Sequence, residues 1–196
     1  MNKTKRKIFE ASMRLFAEKG YDATSIEEIT ATVGVAKGTL YYHFSSKEEI
    51  FQFLVEEGVK LLKNSMQIKT EKLENSLDKL RAIILIEIKI LAKYENFMSI
   101  ILSQIWGTDA RSIMCRKYVF EYIEMVEAVV KEGIERKEIK AGNSNSIASG
   151  IFGLTSSIMI SKMRNNEPIN VAKTYKEIDS IFISKLKIEK GKNKWV

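Results

Sequence analysis

The segment that decides the fold is TSIEEITATVGVAKGTLYYHF, residues 24–44. A Ser or Thr followed three positions later by Glu occurs twice at its start, at Thr24 and at Ser25, and this capping-box pattern predicts the first turn of a helix. Gly34 ends that helix with a tight turn, and a third short helix is predicted at 36–43. Two short helices around a glycine turn indicate a helix-turn-helix, in which the second helix is free to enter a major groove.

The flanking sequence supplies the support that such a motif needs. Apolar residues recur at helical spacing from Ile8 to Ala17, and Gly20 follows them, which predicts a first helix over 4–19. Downstream, the box that begins at Ser46 predicts the start of a long fourth helix. Three short helices therefore occupy the first 44 residues.

The rest of the chain also follows helical spacing. The single proline, Pro168, and the many Ile, Leu, Lys and Glu residues favour long uninterrupted helices. An all-α fold of about nine helices is predicted. The sequence contains no repeat of 20 to 50 residues, so a helical solenoid is not expected. The predicted helices beyond the motif are 47–64, 72–94, 95–105, 110–137, 144–164 and 170–188.

Composition excludes several classes of protein. With 45% hydrophobic and 29% charged residues in 196, a packed core is expected. Cys115 is the single cysteine and His43 the single histidine, so an intrachain disulfide and cysteine-histidine zinc sites are excluded, and we expect no metal and no cofactor. The same counts, together with the lack of a glycine-rich phosphate loop, leave an enzyme with little support, so none is predicted.

The sequence also predicts a cytoplasmic protein. The first residues are basic, but an amphipathic segment follows them in place of an apolar signal core, so secretion is not expected. The most apolar segment, 82–92, is interrupted by Glu87 and Lys89 and is too short to cross a bilayer. A single cysteine fits the reducing cytosol.

The net charge of +7 is concentrated at the two ends of the chain. Residues 1–47 hold eight Lys/Arg and five Asp/Glu, residues 185–196 hold five Lys and one Glu, and the remaining 19 of each sign cancel. A lysine-rich terminus is most often a solubilising tail, so no function is assigned to it. Because residues 48–184 carry no net charge, an architectural protein that binds DNA regardless of sequence is disfavoured. A steep loss of DNA affinity when bases of the binding site are changed would separate a sequence-specific regulator from such a protein.

The third helix has a surface suited to DNA. Leu40 and Phe44 repeat at a spacing of four and are predicted to point inward. Hydroxyl, imidazole and ammonium groups on the other side can donate to phosphate oxygens, lysine can reach guanine acceptors, and glycine permits close approach to base edges. The residues predicted to face outward are Lys37, Gly38, Thr39, Tyr41, Tyr42 and His43.

These residues identify a family. The segment from Ile8 to Leu54 resembles the DNA-binding domain of the TetR family of bacterial repressors. The resemblance covers about a quarter of the chain and implies a homodimer that binds a palindromic operator in double-stranded DNA, with a divergent ligand-binding body; repressor is favoured over activator only on this ground. The residues that carry it are Leu15-Phe16, Gly20-Tyr21, Thr24-Ser25, Ile29, Gly34-Val35, Gly38-Thr39-Leu40-Tyr41, His43-Phe44 and Lys47.

The resemblance also implies roles for single residues. Lys37, Gly38, Thr39 and Tyr41 align with positions that face bases or adjacent backbone, and His43 has an alternative role in packing beside Phe44. Ala36 departs from the family, which commonly has a capping serine or threonine there, with an expected cost of about 1 kcal/mol to the local helix. The positions that align with phosphate contacts are Thr24, Ser25, Tyr42, His43 and Lys47.

The resemblance divides the chain into a DNA-binding domain, 1–47, and a ligand-binding and dimerisation domain, 48–196. Within the latter, the segment 147–164 has one face of large apolar residues and one of Gly and Ser, which lets another helix approach closely. We interpret the small face as the dimer interface, the alternative being packing within the chain. The predicted interface comprises Ser149, Gly150, Gly153, Ser156, Ser157, Ile178 and Phe182.

The body also offers candidates for an effector pocket, either as ordinary core or as the lining of a cavity for a small apolar or amphipathic molecule. Glu87 stands out because it lies in the apolar arc of the fifth helix. Either an arginine (Arg81, Arg111 or Arg116) or a tyrosine hydroxyl satisfies it, or it orients a ligand whose binding shifts the fourth helix. The candidates are Glu87, Tyr94, Met98, Trp106, Met114, Tyr118, Tyr122 and Phe152.

Overall fold

A computed structural model describes residues 2–165 and 167–188 of the chain. The predicted all-α class is confirmed: across those ranges the regular elements are helices, and the only extended pairing is an isolated bridge between Ile139 and Lys187. No helix in the described ranges is long and apolar enough to cross a membrane. The helices are α1 (Lys3–Lys19), α2 (Ile26–Val33), α3 (Lys37–His43), α4 (Lys47–Thr70), α5 (Ser76–Lys93), α6 (Glu95–Gln104), α7 (Ala110–Glu135), α8 (Ser144–Arg164), α9 (Val171–Ile178) and α10 (Ser184–Leu186).

Polar side chains start most of these helices. The Asn75 side chain accepts hydrogen bonds from the amides of Leu77 and Asp78 at the start of α5, and Asn170 caps α9 in the same manner. Helix α6 starts without a side-chain cap, and so does α3, whose first position follows Ala36, as predicted from the sequence. Helix α3 therefore depends on packing for its stability.

Three helices differ by more than two residues from their predicted bounds. The fifth begins at Ser76, whereas residue 72 was expected. The fourth helix was expected to end near residue 64 but continues to Thr70, because Met66 is buried and extends the apolar side past the polar pair before it. The last helix is not regular: a π-helical segment, Asp179–Ile183, joins α9 to α10. Asp179 accepts a hydrogen bond from Arg81 at 2.9 Å and another from Ser184 at 2.7 Å. A half-buried ion pair therefore accompanies the irregular turn.

The chain forms two compact units. The first runs from the N-terminus to Leu61 and includes Tyr94–Tyr118; the second combines Leu62–Lys93 with the residues from Val119 onward. The functional boundary proposed at residue 47 concerns DNA binding and stays a prediction. By compactness alone, α4 and α7 each contribute to both units.

Each unit has its own apolar interior. In the first, Ile8, Phe16, Leu40, Phe44 and Phe51 are at most 3% exposed, so the first four helices enclose one core. In the second unit, helices α5, α7, α8 and α9 supply the core. Its fully buried members include Leu80, Ile83, Ile84, Ile88, Val126, Val130, Ile151 and Ile178.

Candidate DNA-binding surface

The start of α2 is fixed by a reciprocal cap. The Ser25 hydroxyl accepts a hydrogen bond from the Glu28 amide at 3.1 Å, and the Glu28 carboxylate accepts one from the Ser25 amide at 2.9 Å. Lys19 donates to the same carboxylate at 2.6 Å. The lysine and the cap together lower the pKa of Glu28 to about 2, so this carboxylate is ionised at neutral pH. Of the two predicted boxes, only the one at Ser25 forms.

Thr24 has a structural task. Its side chain is 1% exposed, and its hydroxyl hydrogen bonds with the carbonyl oxygens of Gly20, at 2.8 Å, and Leu15, at 3.2 Å. A hydroxyl in that position is closed to a phosphate oxygen. We therefore correct the role that the sequence gave to this side chain, from a phosphate contact to a lock on the turn between α1 and α2.

Lys47 is also engaged inside the protein. Its ammonium donates to the carbonyl oxygens of Thr24, at 2.9 Å, Tyr21, at 3.0 Å, and Asp22, at 3.4 Å. It lies 4.3 Å from the centre of the Tyr21 ring as well. Three ammonium protons thus meet three carbonyls, and the predicted phosphate contact is replaced by a clamp that ties the start of α4 to the α1–α2 turn.

Helix α7 reaches the same turn within the first unit. The Arg111 guanidinium stacks 4.0 Å from the Tyr21 ring centre and donates to the Asp22 carboxylate at 3.0 Å. The Tyr21 hydroxyl donates in turn to Glu48 at 2.8 Å. Sequence reasoning missed Arg111 in this role because its partners lie almost 90 residues away, and no local pattern connects them.

Five of the six residues predicted to face outward from the third helix are exposed on α3. Leu40 and Phe44 are buried, at 0% and 1% exposure, as predicted. On the opposite side, Tyr42 is 85% exposed and Tyr41 is 45% exposed. Solvent exposure of two adjacent tyrosines is costly for a surface with no partner, and both keep hydroxyl groups able to meet phosphate or base edges. The residues that share this exposed surface are Lys37, Gly38, Thr39, Tyr41 and Tyr42.

His43 lies between the two roles considered for it. Its side chain is half-buried, and its ring packs edge-on against Tyr42 with 5.1 Å between centroids. A half-buried ring in this position can pack against its neighbours and still contact DNA.

Gly38 has no reason for being glycine inside this chain. A Cβ at this position would meet no atom within 4 Å, and its backbone has no positive φ. Glycine inside a helix costs about 1 kcal/mol relative to alanine, and α3 has only seven residues over which to recover it. The open space over Gly38 is instead what close approach of a DNA backbone or base edge requires.

An acidic side chain that the sequence assigned to capping also belongs to this surface. The Glu27 carboxylate accepts a hydrogen bond from the Lys37 ammonium at 2.5 Å, with the side chains 65% and 54% exposed. The Lys37 ammonium lowers the pKa of Glu27 below its usual range. The spacing of ten residues across the glycine turn is the signal that could have paired them.

The predicted pocket residues fall in both compact units. Glu87, Tyr122 and Phe152 belong to the second unit, whereas Tyr94, Trp106, Met114 and Tyr118 belong to the first. Trp106 is 90% exposed, which is a surface position and corrects its assignment as lining. The side chain of Met98 lies outside the described residues.

Glu87 is buried, so its position in the apolar arc reflects an interior carboxylate and not a rotated helix. It is 4% exposed and accepts hydrogen bonds from the Tyr122 hydroxyl and the Thr155 hydroxyl, both at 2.8 Å. None of the three predicted arginines pairs with it: Arg81 bonds to Asp179, Arg111 bonds to Asp22, and Arg116 donates to backbone carbonyls. Burial raises the pKa of Glu87 to about 7. The tyrosine alternative is thus the one found, and Thr155 is a partner that the sequence did not indicate.

The small face of α8 divides into two parts. A Cβ on Gly150 would lie 3.2 Å from Phe182, so this glycine is explained by packing within the chain. Ile178 is 1% exposed and Ser156 is 7% exposed, which places both in the interior of the unit and corrects their assignment to an interface. By contrast, Gly153 is exposed and meets nothing within 4 Å.

Exposed groups continue from Gly153 along the same side of α8. Ser157 is exposed and Ser149 half-buried, while Ile160 and, from the π-helical segment, Ile181 are 52% and 58% exposed. An exposed strip that combines a bare glycine with large apolar side chains fits a helix from a second subunit.

Comparison with known proteins agrees with this geometry. The family described as bacterial regulatory proteins, tetR family, matches residues 8–54, from α1 into α4. IcaR of Staphylococcus aureus, named as a negative transcriptional regulator of the biofilm operon icaADBC, is 38% identical over 76 residues, which cover 39% of this chain and 41% of IcaR. The chain thus spans less than half the length of this curated relative.

Two solved structures match over nearly the whole chain. A candidate fatty acid metabolism regulator of Clostridium perfringens is 31% identical, with a TM-score of 0.86, over 93% of this chain and all of that one. FadR of Bacillus subtilis, solved with stearoyl-CoA, shares the fold at 22% identity and a TM-score of 0.80, over 91% of this chain and 97% of that one. With the family's DNA-binding segment in place and a relative matched from end to end, the chain belongs to the TetR family of bacterial transcriptional regulators.

Proposed function

We propose that this regulator is a cytoplasmic repressor that binds a palindromic operator as a homodimer and releases it when a small apolar or amphipathic effector binds. The observation that carries the proposal is the exposed surface of α3, where two tyrosines, a threonine and a lysine surround a glycine with open space above it. Such a surface has no purpose inside the chain and matches a major groove.

Within this proposal, each residue has one role. Gly38 and Thr39 allow close approach to base edges, Lys37 and Tyr41 face the bases, and Tyr42 donates to phosphate. Ser25 and His43 contact phosphates at the rim, while Thr24 and Lys47 hold the α1–α2 turn that supports the surface. Repression is favoured because IcaR, a relative across the DNA-binding segment, is named as a negative regulator.

A homodimer is supported by the exposed strip on α8. Gly153, Ser157 and Ile160 recur at helical spacing, and Ile181 extends the apolar character. A twofold contact through this strip would present two recognition helices to half-sites about one helical turn, roughly 34 to 36 Å, apart.

The effector is proposed to reach the interior of the second unit. Glu87, Tyr122 and Phe152 lie together there, with 5.9 Å between the centroids of the two rings, and Glu87 can accept a hydrogen bond from a ligand that displaces a hydroxyl. An acyl chain is the favoured class because the Clostridium relative is named as a candidate fatty acid regulator and FadR was solved with stearoyl-CoA.

Helix α7 offers a route for the response. It carries Tyr122, which bonds to Glu87, and eleven residues earlier Arg111, which stacks on Tyr21. A shift of this helix on effector binding would move the turn that supports α2 and α3. A coupling of about 1 to 3 kcal/mol is enough to weaken operator binding roughly 5- to 150-fold.

Selection from a pool of randomised duplexes tests the DNA part of the proposal. We expect enrichment of one palindromic sequence, bound with two protein chains per duplex. Stearoyl-CoA, added to that complex, is the first probe of release, and Glu87→Gln should keep operator affinity while weakening the response to it. Uniform binding of all duplexes would instead indicate an architectural protein and overturn the proposal.

A further inference from the structure

Glu27 is out of place on a surface that meets DNA. A carboxylate near phosphates is repelled, so acidic side chains at such an interface need a specific reason. The fold supplies only a small one: Glu27 lies in the first turn of α2, where a carboxylate is favoured, but the cap itself is formed by Ser25 and Glu28, and the Glu27 side chain is 65% exposed. Exposed ion pairs contribute little to folding stability, so its pairing with Lys37 does not explain it either.

The pair has a definite hydrogen-bonding character. Lys37 offers ammonium protons, and Glu27 offers only acceptor oxygens, with Nζ and Oε1 2.5 Å apart. The Lys37 ammonium keeps the carboxylate ionised by lowering its pKa, so it does not become a donor at neutral pH. The two side chains thus present one donor and one acceptor next to each other, with no net charge.

The G·C pair has the complementary pattern in the major groove when the Lys37 ammonium donates to both guanine acceptors. In a G·C pair, the O6 and N7 acceptors of guanine lie beside the N4 amino donor of cytosine. The O6 and N4 atoms are hydrogen-bonded to each other at about 2.9 Å, close to the spacing of the protein pair. In an A·T pair the adenine N6 donor lies between the N7 and O4 acceptors, and thymine O4 stands where cytosine has its N4 donor. An ammonium group that spans two adjacent acceptors next to a carboxylate therefore finds no match there.

We infer that Glu27 and Lys37 act together as a reader of a single G·C pair in each half-site, with the Lys37 ammonium on guanine and the Glu27 carboxylate on the cytosine amino group. The inference rests on the proposed function and makes Glu27 a determinant of sequence preference. Since the pair is neutral, neither side chain adds to the salt dependence of binding.

The test uses the whole chain and randomised duplexes, with the wild type, Glu27→Gln and a matched control, Glu10→Gln. Glu10 is also an exposed carboxylate in an ion pair, with Arg6 at 2.9 Å, but it lies on α1. The enriched palindrome and its variant with A·T at the G·C position are then titrated at several salt concentrations by fluorescence anisotropy.

We expect the wild type and Glu10→Gln to prefer G·C at one symmetric position by about tenfold. Glu27→Gln should lose that preference at this position alone, because an amide can both donate and accept and so tolerates adenine. Lys37→Met should lose preference at the same position.

Two results would overturn the inference. If Glu27→Gln raises affinity for every duplex by one factor and enriches the same sequence as the wild type, Glu27 only adjusts charge. If the wild type enriches no sequence at all, the proposed function fails together with the inference, and the two failures are distinguishable.

Discussion

The surface of α2 and α3 and the interior of the second unit each hold one carboxylate in an unusual setting. Glu27 is exposed and paired with a cation, and its pKa is lowered; Glu87 is buried with two hydroxyl partners, and its pKa is raised to about 7. A charged group on the surface is solvated by water, so the fold alone does not fix its position and a binding partner can. A charged group in the interior has to be satisfied within it or by a ligand.

The largest expected effect concerns the interior carboxylate. An unfolded Glu ionises near pH 4.3, whereas Glu87 ionises near pH 7, so the native state holds the proton more tightly and loses stability as pH rises between these values. Glu87→Gln should therefore be more stable than the wild type by about 3 kcal/mol at pH 8 and nearly equal to it at pH 4.5. Urea unfolding at both pH values measures this.

Glu127 provides a control of opposite sign in the same unit. Lys131, Asn145 and Ser144 hold its pKa down to about 2, so it stabilises the native state above its unfolded pKa and loses this as pH falls. Glu127→Gln should lower stability at pH 8. If Glu87→Gln also lowers it there, Glu87 is a satisfied carboxylate and the contrast with the surface fails.

Two lysines of the first unit allow a comparison between a residue on the proposed DNA-binding surface and a residue that stabilises the turn behind it. Lys47 donates to three backbone carbonyls, whereas Lys37 is paired on the surface. Lys47→Met should destabilise the fold by about 2 kcal/mol, because the three carbonyls lose a charged donor. Lys37→Met should leave the thermal unfolding midpoint unchanged and relax base preference, with some loss of affinity for every duplex because the unpaired Glu27 carboxylate repels phosphate. Equal midpoints for the two variants would contradict the clamp.

The smallest effect concerns Gly38. Gly38→Ala has room for its methyl group and should stabilise the protein by up to about 1 kcal/mol while weakening operator binding. Gly150→Ala is the comparison, since its methyl group would press on Phe182 and no such gain is expected. Calorimetry and anisotropy on the same samples measure both quantities, and unimpaired operator binding by Gly38→Ala would remove the role in close approach.

The parts of the fold that follow from local pattern were predicted well. Helix starts carry capping side chains, and the alternation of Leu40 and Phe44 against exposed neighbours follows from helix geometry. The family resemblance added the DNA surface, because its residues are contiguous in sequence. All of this information lies within a few residues of the feature that it predicts.

The parts that depend on distant contacts were missed or assigned wrongly. Thr24 looks like a cap, yet it folds back on Leu15 and Gly20, and Lys47 looks free until the α1–α2 turn is seen beneath it. Ile178 looked like interface because its partner surface was unknown. Which side of a helix meets its own chain is decided by tertiary packing, and helical spacing alone does not state it.

The proposed homodimer forms through the exposed strip of α8, and a substitution at Gly153 tests this contact. A Cβ on Gly153 meets nothing within 4 Å and the position is exposed, so Gly153→Leu should fold normally yet sediment as a monomer and lose most operator affinity. Gly153→Ala is the matched control and should remain a dimer. A dimeric Gly153→Leu with full affinity would place the interface elsewhere.

The most direct test of the account is the spacing of the selected half-sites. Five base pairs inserted at the centre of the enriched palindrome turn one half-site to the opposite side of the duplex, since a helical turn takes about 10 base pairs. Two recognition helices held in one dimer cannot then reach both half-sites, and we predict that affinity falls at least about tenfold, to that of a single half-site. Unchanged affinity for the lengthened palindrome would contradict a dimeric helix-turn-helix regulator.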